Sequence, residues 1–82
     1  MKFGLLALMQ SPTGKPFKEV YDEAIEQFIL ADELGYDCVW LTEHHFSPDH
    51  HKELGGEYGI CCSPLSFGNY VAAVTKRIRI GQ

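Results

Sequence analysis

Long apolar runs, cysteines and basic residues are all scarce in this 82-residue sequence, and each scarcity excludes something. No apolar run approaches the ~18 residues of a membrane-spanning helix. The longest near the start, Phe3 to Met9, is interrupted by Gly4. Met1-Lys2 before it imitates the charged start of a signal peptide. The run nevertheless sits at the lower edge of a signal's apolar region, and Gln10-Ser11-Pro12 is a poor small-residue cleavage site, so export is not expected. With 7 Lys+Arg against 11 Asp+Glu, the formal charge of −4 leaves no basic surface to neutralise a phosphate backbone. Neither nucleic acid nor an anionic membrane is therefore expected as a partner. The three cysteines are odd in number, and Cys61 and Cys62 are adjacent. That is no disulfide framework and suits a reducing compartment, the cytoplasm. With only 4 Pro and 8 Gly against 45% apolar and 22% charged residues, the composition is that of a packed chain, not a disordered one. The length allows one domain or less.

Lys2 to Met9 is a nearly unbroken apolar run closed by Ser11-Pro12-Thr13-Gly14, the pattern of a strand buried on both faces. From Phe17 the apolar positions fall at Val20, Tyr21, Ala24, Phe28, Ala31 and Leu34, three and four apart, which predicts a helix from Pro16 to Leu34 with one buried stripe. Pro16 suits its first turn, Glu19, Asp22 and Glu23 favour its amino end, and Gly35 provides a left-handed stop. Asp37 to Thr42 is a compact β-favouring run leading into Glu43-His44-His45-Phe46. A polar, Gly-bearing stretch from Ser47 to Cys62 follows, of a length more often functional than idle. Ser63-Pro64 offers a capping hydroxyl and a first-turn proline for a second helix. Phe67, Tyr70, Val71 and Val74 form its apolar face, and Lys76 and Arg77 favour its end. Arg77 to Gln82 begins a third strand.

The order strand, helix, strand, helix, strand, with connections this long, predicts an α/β fold with parallel strands and right-handed crossovers. A dinucleotide-binding half would need Gly-x-Gly-x-x-Gly after the first strand, where this chain has Gln10-Ser11-Pro12-Thr13-Gly14-Lys15. Three strands with helices on one side leave an exposed edge, so the unit looks incomplete. Strand starts near positions 3, 37 and 78 give units of 34 and 41 residues, eight of which make roughly 300 residues, within the range of a (β/α)8 TIM barrel. Residues 1–82 are thus expected to be the N-terminal portion of a single barrel domain, incomplete at its C-terminus.

In such barrels the reacting groups lie at the carboxyl ends of the strands, here Leu8-Met9-Gln10 and Glu43-His44-His45. An imidazole titrates near neutral pH and a neighbouring carboxylate can tune it, so this rim suits proton transfer. Adjacent side chains in an extended segment point to opposite faces. One histidine then faces the mouth and the other packs or hydrogen-bonds beneath; the bland alternative is two polar residues ending a strand. His50, His51 and Glu53 could join Glu43 and His45 around zinc or iron, but no His-Glu-x-x-His motif is present, and solvated loop histidines are the stronger reading. Cys61-Cys62 lies near a helix start where a thiolate could be stabilised, yet buried packing is the commoner role of free cysteine. Trp40, Phe28, Phe67 and Tyr70 follow strand and helix stripes, which favours core packing over ligand stacking.

The run Leu34-Gly35-Tyr36-Asp37-Cys38-Val39-Trp40-Leu41-Thr42-Glu43-His44-His45-Phe46 resembles the second-strand signature of the bacterial luciferase-like, flavin-dependent monooxygenases. Met1-Lys2-Phe3-Gly4-Leu5 is similar too, as is Ser63-Pro64 with Asn69 to Ala73 and Thr75 to Gly81, while Cys61-Cys62 departs from the family pattern. The resemblance covers nearly the whole chain and the first quarter of that family's barrel. It implies that reduced FMN, supplied by a separate flavin reductase, binds in the barrel mouth and reacts with O2 to a hydroperoxide that oxygenates an aldehyde or related small molecule. It also implies that His44 is the candidate base beside the flavin, with Glu43 and His44 contacting cofactor and His45 in the same site. The flavin phosphate would be held by loops after the seventh and eighth strands, so this stretch alone is expected to be inactive. At full length the resemblance implies a homo- or heterodimer. Two alternatives stand beside it: an oxidoreductase of the same fold using the deazaflavin coenzyme F420, and a non-catalytic flavin-binding relative.

Overall fold

The computed structural model describes residues 1–46 and 59–82. Within them the elements run β1 (Gly4–Ala7), α1 (Phe17–Glu33), β2 (Cys38–Leu41), α2 (Pro64–Val74) and β3 (Arg79–Gly81). The strands form one parallel sheet in the order β1-β2-β3, with Leu6, Trp40 and Gly81 at one level across it. The expected α/β order and parallel pairing are both present.

Helix α1 keeps to the predicted bounds because its end is strongly specified. Gly35, at φ +83, donates its N–H to the Asp32 carbonyl (3.2 Å), and the Tyr36 N–H reaches the Ala31 carbonyl (2.9 Å). This paired closure of the last turn needs a left-handed residue after Leu34. Val20, Ala24, Phe28 and Ala31 are buried as the spacing predicts, but Phe17 and Leu34, at the two ends of the stripe, stay exposed.

The core lies on one face of the sheet. Val39 and Leu41 of β2 are buried with Phe28, Val71, Cys61 and Ile78. Gly68 lets α2 approach the sheet: a Cβ there would stand 3.4 Å from Ile80 and 3.6 Å from Leu41. Tyr21 meets Phe67 edge to face at 4.7 Å, and Phe28 packs beside Phe67. Among the described residues no helix covers the opposite face. Leu6 is 66% and Trp40 52% exposed, and Phe3 and Leu8 are exposed as well. Burial of the first strand on both faces, expected from its apolar run, is therefore not observed; both described helices cover the same side. Core packing of Trp40 and Tyr70 is corrected too, since both are half exposed, whereas Phe28 does lie in the core. Alternation explains Trp40: Val39 and Leu41 point to the helices, so Trp40 must point away.

Asp32 ties the layers together. It is buried on α1, and its carboxylate accepts the backbone N–H groups of Lys76 (2.7 Å), Arg77 (2.9 Å) and Ile78 (2.8 Å) in the turn before β3. These donors hold the carboxyl below its ordinary range. Lys76 and Arg77 thus lie beyond α2, which ends at Val74, instead of in its last turn as expected. Ser63 also departs from expectation: its hydroxyl bonds the Ser66 hydroxyl (2.9 Å) and makes no side-chain cap.

Candidate functional site

The carboxyl ends of β1 and β2 lie side by side, and the chain beyond each strand builds a rim. Strand β1 stops before Met9, whose φ of 50 turns the backbone out of the ladder. The Met9 carbonyl accepts the Ile60 N–H (2.9 Å), while Thr42 Oγ1 donates to the Ala7 carbonyl (3.1 Å). Two residues beyond Thr42, the His44 N–H reaches the Cys61 carbonyl (2.8 Å). Residues 59–61 therefore bridge the ends of both strands.

His44, His45 and Glu43 are all exposed at this rim. Beyond β2, which ends at Leu41, Glu43 lines a hollow with Leu41, Ser63 and Pro64. The Glu43 carboxylate lies 3.3 Å from His45 Nε2. The sequence suggested that Glu43 would hold His44; the geometry gives that carboxylate to His45 instead. His45 is also 56% exposed, so it is not packed beneath the rim in this segment. At such exposure the pair adds little to stability.

His44 has a different neighbour. The Gly59 backbone lies so close to its ring that a Cβ built on Gly59 would overlap Cγ and stand 2.8 Å from Cδ2. Gly59 was not among the candidates, since a lone glycine in a Gly-bearing loop carries no signal of what it touches. Asp32 was missed likewise, because an acidic residue on a helix does not announce a distant backbone partner.

Cys61 is fully buried and packs in the core, the reading favoured from sequence, while Cys62 is exposed and Cys38 half-buried; all three are free. The Tyr21 hydroxyl donates to the Ile60 carbonyl (3.2 Å), and burial together with the nearby Cys61 pushes its pKa up to about 12. It stays protonated and serves as a tether. His50, His51 and Glu53, weighed above as metal ligands, lie outside the described residues. Among the described residues no cluster of His, Cys, Asp and Glu could hold a metal ion, and no helix is long and apolar enough to cross a membrane.

The open face presents Leu6, Leu8 and Trp40, and the exposed His44 follows the carboxyl end of β2. A phosphate finds no free cation at this end among the described residues. Lys15 is bound to Glu23 (2.9 Å) and Lys18 to Asp22 (2.6 Å), while Lys2, Arg77 and Arg79 line a groove at the amino ends of the strands.

The family model for luciferase-like monooxygenases matches residues 1–82. The chain is similar to the alkanal monooxygenase alpha chain of Photorhabdus laumondii, 31% identical over 81 residues, which covers 99% of this chain and 20% of that protein. It is 34% identical over 83 residues to the alkanal monooxygenase beta chain of Photobacterium leiognathi, covering 99% of this chain and 23% of that one. An uncharacterized Bacillus subtilis protein, YwcH, is 37% identical over 79 residues, covering 94% and 21%. The chain thus spans about a fifth of the length of the curated relatives it matches. No solved structure matches it significantly.

Proposed function

This chain belongs to the luciferase-like monooxygenase family, and from that premise we propose that it forms the first quarter of a (β/α)8 barrel in a flavin-dependent monooxygenase. The observation that carries the reading is the open apolar face of a parallel sheet with an exposed imidazole at its carboxyl rim. In a closed barrel that face is the interior, and the rim is where bound ligands react.

Reduced FMN would supply the oxygen chemistry and an aldehyde or related small molecule would be its substrate. The residues of this segment have the complementary tasks. Leu6, Leu8 and Trp40 form an apolar wall that excludes water from the mouth, which strengthens every polar contact made there. His44 gives or takes a proton at an imidazole nitrogen, the usual task of that group in general acid–base catalysis. Glu43 lies against His45 and orients that neighbour, and its exposed carboxylate stands with His44 as a candidate cofactor contact. The flavin phosphate would be held outside this segment, in keeping with the lack of a free cation at the rim among the described residues.

The relatives named as alpha and beta chains point to a dimer at full length, and a separate flavin reductase would deliver the reduced cofactor. The test is oxygen uptake by the complete protein with photoreduced FMN and a long-chain aldehyde. The reading expects O2 consumption with conversion of aldehyde to acid. Hydride transfer with coenzyme F420 and no oxygen uptake would replace it by the deazaflavin alternative, and binding of FMN without turnover by a non-catalytic relative.

A further inference from the structure

The strap from Gly59 to Cys61 is held on three separate elements at once. The Ile60 N–H bonds the Met9 carbonyl beyond β1, the Cys61 carbonyl accepts the His44 N–H beyond β2, and the Tyr21 hydroxyl of α1 donates to the Ile60 carbonyl. The Cys61 side chain is fully buried in the core. A strap fixed this way cannot slide along the rim without breaking several contacts together.

Gly59 stands at its leading end, at φ +73, directly against the His44 ring. A Cβ at position 59 would stand 2.5 Å from His44 Cβ and 2.8 Å from Cδ2, where real contacts do not come under 3.0 Å. Cβ lies at the root of the histidine side chain, so turning the ring about χ1 cannot relieve the overlap with it. Any side chain at position 59 must displace His44 or the strap, and it adds strain from the left-handed backbone.

We propose that Gly59 is a positioning residue for His44, its bare backbone fixing where the imidazole stands at the barrel mouth. The proposal rests on the reading of His44 as the proton-handling group. It acts through placement: a shift of the imidazole by about 1 Å is enough to cost on the order of 10²-fold in rate.

The experiment uses the complete protein, with turnover measured in wild type, Gly59→Ala, His44→Ala and the double variant, and with the His44 imidazole titration followed by NMR of histidine-labelled wild type and Gly59→Ala. Turnover is expected to fall by about 10²-fold in Gly59→Ala. In the His44→Ala background the same substitution should change it little, because the group it acts through is gone. The His44 titration should shift in Gly59→Ala. Should that variant not fold, Tyr21→Phe loosens the strap without adding bulk and should move the same titration in a milder degree. Equal losses in both backgrounds, or a His44 titration unmoved by either substitution, would overturn the proposal. If His44→Ala turned over like wild type, the functional reading would fail, while the NMR shift would still decide whether Gly59 places the ring.

Discussion

Replacing Trp40 and Phe28 in turn by alanine separates a closed barrel from an open sheet. Phe28 is 2% exposed in the core between sheet and helices, whereas Trp40 is 52% exposed on the opposite face. Phe28→Ala should cost about 3–5 kcal/mol wherever this segment is folded, the usual sum of lost transfer energy and residual cavity. For Trp40 the value depends on what covers it. An aromatic side chain buries about 200 Å², so the exposed half leaves roughly 100 Å² still to be removed from water, worth ~2.5 kcal/mol. If the rest of a barrel closes over this face, Trp40→Ala in the complete protein should be nearly as costly as Phe28→Ala. With the face open, it should cost only about half as much. Urea unfolding of the complete protein, read by far-UV circular dichroism, measures both. A Trp40→Ala variant that costs half as much as Phe28→Ala or less, as an open face requires, would refute the reasoning that this face is a barrel interior.

Asp32→Asn should lower the melting temperature at neutral pH, since an amide can present an oxygen to only part of the three N–H donors and turns a donor toward the rest. The carboxyl of Asp32 is held below its ordinary value. Its stabilisation is therefore complete above about pH 4, the range in which the unfolded carboxyl titrates, and is lost as pH falls through the lower folded value. Thermal melts from pH 7 to pH 3 should show a shallower acid limb in the variant, and a parallel limb would remove Asp32 from that role. His45→Ala should reduce turnover less than His44→Ala, because His45 is paired with the Glu43 carboxylate; the reverse order in steady-state assays would make His45 the proton-handling group. Residues 1–82 expressed alone should associate or unfold non-cooperatively, given exposed Leu6, Leu8 and Trp40 and unpaired sheet edges. A soluble monomer with a cooperative melt would contradict this.

The architecture was legible where local rules act alone. Three-and-four spacing from Val20 to Ala31 marks α1, and Gly35 marks its end, because both signals are carried by neighbours in the chain. Burial was less legible: the apolar runs of β1 and β2 ask for cover on both faces, but sequence cannot say whether that cover lies within these residues. Partnerships across the fold were hidden for a simpler reason. Glu43 sits beside His44 in sequence and beside His45 in space. Asp32 and the turn before β3, or Gly59 and His44, meet through tertiary placement alone. The histidine pair itself stood out as chemistry at a strand end; what holds it there did not.

Turnover of the complete protein carrying His44→Ala, at saturating reduced FMN and aldehyde, tests the account most directly. The imidazole at the rim of an open apolar face is taken to move a proton while the flavin is bound chiefly elsewhere. The loss should be roughly 10²–10⁴-fold, the usual contribution of a general acid or base, with the affinity for reduced FMN almost unchanged. Equal turnover in variant and wild type would contradict the account.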